Sequence, residues 1–264
     1  MQHFNKIILG ATATGLGAFF SEPNQSLLIE ATSMIGPDFA GSFMTGSAKS
    51  NTLTEYNNHP IFQEAVKIGV LKDGLIHLPG LHTLMYKFLS PYAHHFLLLT
   101  DYISSEQIDD KIAVTVFNKN GTSTFTCDEL IDATPTLITN QIKTEVISES
   151  LGSVFVASKE DAIIPKLSKC EIFQTCFPNE FYLHIPLTIH YDWGKARSDL
   201  ISFISEHKTE LEGWILAATA IEKNVKISTN YQGLASVLIP SQFDGIIEGF
   251  IAGINFFENR KALV

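Results

Sequence analysis

The chain has 264 residues, 45% hydrophobic and 17% charged, enough to bury a sizeable core in one large domain or two. Its formal net charge of −10, with no run of Lys and Arg, excludes the basic footprint that nucleic-acid binding needs. Three cysteines, Cys127, Cys170 and Cys176, form no CxxC and read as buried or idle thiols, not as a disulfide framework or a metal site.

The stretch from Lys6 to Phe20, "KIILGATATGLGAFF", has the apolar look of a signal peptide. Gly10, Gly15 and Gly17 dilute the run and no A-x-A site follows, so it is read as folded structure. No segment reaches the roughly 18 apolar residues of a membrane span, and a cytoplasmic protein is expected.

In chain order, Ile7–Leu9 is an apolar strand, and Gly10 to Phe20 a glycine turn and short helix broken by Pro23-Asn24. Ser26–Ile29 is a second buried strand with Glu30 at its end. Residues 32 to 58 read as irregular. A helix is predicted over 60 to 70, with Pro60 in its first turn, and another over 80 to 89, stopped by Pro91. "HHFLLLTDYIS" reads as one continuous buried strand. "KIAVTVFNKNGTSTFTC" reads as a hairpin turning at Asn120-Gly121, and "ELIDAT" as a further strand ending in small residues. "SVFVAS" and "FYLHIPLTIHY" are strands, and residues 196 to 222 read as one or two helices around Trp214. After Pro240 a closing helix is expected from Ser241 to Phe257. The alternation predicts an α/β protein: a central, mostly parallel sheet, a β-meander at 95 to 127, and a small α+β unit. The expected division is a discontinuous unit of residues 1–149 and 226–264 with a cap of 150–225.

The first strand, turn and helix have the form of a dinucleotide-binding unit. Such a turn aims backbone N–H groups and the helix dipole at a pyrophosphate, and a carboxylate at the end of the next strand takes a ribose diol. Gly10 holds the tight-turn position and Gly15 the place where helix and strand pack closely. Glu30 follows Gly10 by about twenty residues, as that mechanism asks. The middle position is Thr12, giving G-x-T-x-x-G, and its hydroxyl is a candidate donor to a phosphate oxygen.

The order of this unit, a glycine-rich loop, a meander, "ELIDAT" and a closing P-S-x-x-x-G helix resembles the FAD-dependent oxidoreductases of the glutathione-reductase-like fold. The resemblance covers the N-terminal 45 residues, roughly 75 to 136, and 232 to 257. It implies FAD as cofactor, held by Gly10, Ala11, Thr12, Thr14 and Gly15 at the pyrophosphate and by Glu30 and Ala31 at the adenosine ribose. It places Ile103 at the adenine and Gly36 and Gly41 in the loop that passes the flavin. Ala133 and Thr134 stand in the turn near the cofactor, where Pro135 replaces the family's last glycine. Gln242, Phe243 and Asp244 begin the closing helix near the flavin pyrimidine.

The resemblance implies an oxidoreductase acting on a small organic substrate, with two alternatives. One is a flavin-fold protein without catalysis, serving as a binding or partner subunit. The other is an NAD(P)-dependent oxidoreductase. His184 and His190, with Tyr182 and Asp192, are candidates to line a substrate pocket, against a reading as core or solvent-facing side chains. His94 and His95 are adjacent and would face opposite sides of a strand, so they cannot share a metal there. No G-x-S-x-G elbow and no Walker lysine is present. Substrate, electron acceptor, catalytic acid or base, and oligomeric state are not encoded in any motif.

Overall fold

The computed structural model describes residues 1–46, 58–190 and 192–261. The chain is α/β, built on two sheets. In the first, β1 (His3–Leu9) lies between β2 (Ser26–Ile29) and β8 (Gly121–Asp132), parallel to both. The far edge of β2 carries β5 (Phe96–Leu97), also parallel. Beyond β8 come β7 (Lys111–Asn118) and β6 (Asp101–Ile108), antiparallel. The first half of β8 pairs with β7 and the second half with β1; at its end β14 (Ser236–Val237) adds in parallel.

Period-two alternation decides what each face buries. Ile8, Leu28 and Ile131 point to one side, under α1 (Ala13–Ser21), α2 (Pro60–Lys67), α3 (Leu78–Leu89) and α5 (Ile246–Lys261). Ile7, Leu9, Leu27 and Leu130 point to the other, where Val114 and Val116 of the meander fold over them. A small hairpin, β3 (Leu71–Lys72) with β4 (Leu75–Ile76), joins α2 to α3.

The second sheet is antiparallel, in the order β10 (Glu171–Gln174), β11 (Glu180–Leu187), β9 (Val146–Ala157), β12 (Trp214–Thr219), with β13 (Asn224–Ile227) on the other end of β9. One face packs Leu151, Phe155 and Phe181 against Ala196 and Leu200 of α4 (Trp193–Glu206). The other presents Tyr182 and His184 to the first sheet. Tyr182 Oη accepts the Leu78 N–H at 3.2 Å, and the His184 Nε2–H donates to the Phe43 carbonyl at 3.0 Å.

Five sequence expectations are corrected. Trp214 opens a strand, not a helix: its indole N–H donates to Ile163 O at 3.0 Å, and the chain after Gly213 (φ +87°) pairs with β9. "HHFLLLTDYIS" is broken after Leu97, because Leu99 adopts φ +51° and the chain swings into a largely exposed β6. The hairpin turns at Lys119-Asn120, since Asn118 pairs with Gly121, and "ELID" continues β8 instead of starting a strand. A single 3₁₀ turn occupies Pro240–Gln242 and the closing helix begins at Ile246. Of the stretch read as irregular, residues 47–57 lie outside the described residues; the rest contains a π-turn, Pro37–Gly41.

α1 and α5 touch backbone to backbone. A Cβ at Gly17 would stand 1.9 Å from Phe250 O, and one at Gly253 would stand 2.1 Å from Thr14 O. Gly17→Val must push the helices apart. It is expected to lower stability by about 3 kcal/mol or more, at the upper end of overpacking costs, read as a shifted urea midpoint.

Candidate functional site

β1, β2 and β8 end side by side at Leu9, Ile29 and Asp132. In an open α/β sheet, ligands bind outside the carboxyl ends of the strands. A cavity of about 510 Å³ opens there. Its floor is Gly10, Ala13 and Glu30; one wall is Phe173 and Glu222 from the second sheet and its connections, the other Phe243 and Asp244 ahead of α5.

Gly10 makes the turn at φ +93°, and a Cβ on it would lie 2.9 Å from the Ala133 and Thr134 backbone. No other residue fits that conformation and that contact without strain. Thr12 caps α1: its Oγ1 accepts the Gly15 N–H at 3.2 Å and donates to Ala133 O at 2.8 Å. The Thr12 hydroxyl is therefore turned into the protein, which corrects its assignment as a phosphate donor. Thr14 donates to Leu238 O at 3.2 Å, also inward. A Cβ on Gly15 would be 2.0 Å from Gly10 O, so the helix rests directly on the turn.

Glu30, 5% exposed, accepts the Ala11 N–H at 2.8 Å on one oxygen and the Thr32 N–H at 2.8 Å on the other. A carboxylate has about four acceptor positions, so two remain for hydroxyls. Asp132 accepts four hydrogen bonds, from the N–H and hydroxyl of Thr134 and of Thr139. These bonds hold the turn after β8 and make room in it for Pro135.

The side chain that the sequence did not single out is Asp38. It sits in the π-turn with both oxygens on the Ala13 N–H, at 3.1 and 3.2 Å, at the N-terminus of α1. Burial raises its carboxyl to about 7, against the lowering from its backbone hydrogen bonds, and Glu30 pushes it the same way as burial. Burial, and then Glu30, also raises Glu222. An acid in an irregular loop has no periodicity to mark it; only the path of residues 36–46 across the strand ends brings Asp38 to the helix.

Of the residues assigned from sequence, Gly10, Glu30, Ala31, Thr134, Phe243 and Asp244 border the cavity together. Ala11, Thr12, Thr14, Gly15 and Ala133 are buried behind it as the scaffold of the turn. Gly36 donates its N–H to Ala11 O, and the Gly41 carbonyl accepts from Ile221 and Glu222, so both tie the loop down and do not face the cavity. Gln242 lies in the 3₁₀ turn, outside the lining. Ile103 is 56% exposed on β6; Thr100 and Tyr102 border the cavity in its place. His184 is buried and its pKa lowered by burial, Asp192 caps α4, and His190 lies in a left-handed turn, so these three form no pocket. Burial pushes the Cys127 thiol up to about 12 and also raises Cys170 and Cys176. Among the described residues there is no group of side chains that could hold a metal, and no helix long and apolar enough to cross a membrane.

No protein-family model matches the chain, and no curated protein matches it significantly. Solved structures do match. The p-nitrophenol 4-monooxygenase of Pseudomonas putida aligns over 100% of this chain and 80% of its own, with a TM-score of 0.67 at 8% identity. A flavin-dependent brominase aligns over 99% and 79%, with a TM-score of 0.67 at 12% identity. Aklavinone-11 hydroxylase, solved with FAD and aklavinone, aligns over 100% and 62%, with a TM-score of 0.62 at 12% identity. At these identities what is shared is the fold, a Rossmann-like sheet with a meander and a second sheet.

Two outcomes follow from the site. Thr12→Val removes a cap and a buried hydrogen bond, and should cost about 1–2 kcal/mol in thermal or urea unfolding. Folded Asp38 titrates near 7 and unfolded Asp near 3.8, so between those values the folded state holds a proton that the unfolded state has lost. Its contribution to stability therefore falls as pH rises from about 4 to about 7. The melting temperature of Asp38→Asn minus that of the parent should rise across that window and level off above it.

Proposed function

We propose that the chain is an FAD-dependent oxidoreductase acting on a small organic substrate. The observation that carries this reading is Glu30: a carboxylate at the end of β2, held by two amides with acceptor positions to spare, beside a turn only Gly10 can make. That pairing suits the adenosine ribose. The meander before the end of β8, the second sheet and the closing helix support FAD over a nicotinamide as sole ligand, because after β2 the chain does not continue with repeated βα units.

In this reading Glu30 takes ribose hydroxyls, the Ala13 N–H faces the pyrophosphate, and residues 243–245 ahead of α5 lie toward the isoalloxazine. A helix N-terminus there favours negative charge by about 0.3–1 kcal/mol. When bound, the flavin supplies the redox chemistry, and the protein positions cofactor and substrate. The division proposed is a cofactor unit of residues 1–149 and 226–264 and a cap of 150–225, which carries most of the second sheet and closes the substrate side. A second reading, a flavin-fold partner subunit without turnover, is favoured by one observation, the Asp38 carboxylate at the helix N-terminus.

The purified protein, or the protein separated from unbound flavin after addition of FAD, should show flavin absorbance in the visible; a protein that stays colourless removes this proposal. Photoreduction followed by reoxidation in air separates the oxidoreductase from the partner subunit. Glu30→Ala should weaken FAD binding about 10- to 150-fold, the loss of a charged acceptor worth about 1.5–3 kcal/mol, with folding intact.

A further inference from the structure

The oxygens of Asp38 occupy the place where the N-terminus of α1 would receive an anion. The loop that carries them is pinned. Gly36 donates to Ala11 O at 2.6 Å, Pro37 and Phe39 are buried on either side of Asp38, and the loop's far end is bridged to Gly245 through Gly46. His82, its pKa lowered by burial, donates its Nε2–H to Ile35 O at 2.9 Å, and Tyr86 Oη accepts the Ile35 N–H at 3.1 Å. Asp38 can turn its side chain but cannot leave the helix end.

From this geometry we infer that Asp38 is a proton-dependent gate on the dinucleotide: ionised, it holds the anion position itself, and protonated, it yields that position and donates its O–H to a phosphate oxygen. The inference rests on the FAD reading above and adds its regulation. Its energetic basis is like-charge repulsion, since a pyrophosphate carries negative charge into a site whose own carboxylate is already there. The raised carboxyl of Asp38 puts the change near neutral pH.

Other charged groups converge on the same space. Glu30 comes from the end of β2, and Glu222 and Lys223 come from the link between β12 and β13. Asp244 comes from the approach to α5, Glu171 from β10 and Lys226 from β13. Lys223 is bonded to Glu149 at 2.8 Å, and Glu30 is held by two amides. Glu222 is the group whose titration must be told apart from that of Asp38, because burial raises it too.

The experiment is FAD binding by the apoprotein, followed by flavin fluorescence from pH 5.5 to 8.5, for the parent, Asp38→Asn and Glu222→Gln, with folding checked by circular dichroism. The parent Kd should be flat below pH 7 and rise toward tenfold per pH unit above it, the slope of one proton taken up. Asp38→Asn should bind at pH 8.5 as the parent binds at pH 5.5, with no slope, and Glu222→Gln should keep the parent's slope. Should Asp38→Asn not fold, Asp38→Ser serves in its place. Calorimetry at pH 8 in buffers of different ionisation enthalpy should count one proton taken up by the parent. A flat parent profile, or a slope that survives in Asp38→Asn and vanishes in Glu222→Gln, overturns the gate while leaving FAD binding in place. No FAD binding by any of the proteins at any pH overturns the FAD reading and the gate with it.

Discussion

Helix α1 can stand at the end of β1 only because side chains are missing from its path. Gly15 lets its first turn sit on the carbonyl of Gly10, and Gly17 and Gly253 let α5 press against its flank at distances no Cβ would tolerate. These contacts set the axis of α1, and the axis sets where the N–H groups of its first turn point. Thr12 then locks the helix start to the turn after β8 through Ala133 O. The cavity, the position of Asp38 and the reach of Glu30 all depend on this small piece of close packing, because interiors at this density do not absorb a misplaced helix.

The motif and its departures thereby acquire separate meanings. A glycine at position 12 would leave room for a ligand to approach; threonine instead ties the turn to the neighbouring strand. Pro135 fits for a comparable reason. The turn after β8 is organised by Asp132 with its four hydrogen bonds, which call on Thr134 and Thr139 and ask nothing of position 135. Each departure is supported by a bond the consensus residue could not make or did not need.

The parts of the fold legible in the sequence were those written locally. β1, β2 and the turn between them show as an apolar run, a glycine and a carboxylate, and the helix expected over 80–89 from its proline stop is found at Leu78–Leu89. Where tertiary pairing overrode propensity the reading failed: Trp-Ile-Leu-Ala-Ala-Thr looks helical alone, yet adds to an open edge of β9. At the site, Gly10 and Glu30 could be found because spacing ties them to one mechanism. Asp38 could not, since a loop without periodicity carries it to the helix end, and the position of Ile103 on an exposed β6 follows a left-handed Leu99 that no pattern announces.

β8 is also a statement about assembly order. Its first half closes a hairpin across a two-residue turn, a local event on the scale of about 1–10 μs. Its second half must register against β1, where His3 meets Thr126, and against β14, where Ser236 meets Ile131. Distant segments meeting on one strand raise contact order, which slows folding. During synthesis β1 and β2 emerge long before β8, as a two-stranded parallel pair that is not stable by itself; β5 comes to cover the β2 edge, and the β1 edge stays open until β8 arrives. Until residue 132 has left the ribosome, that apolar edge is the surface most in need of a chaperone.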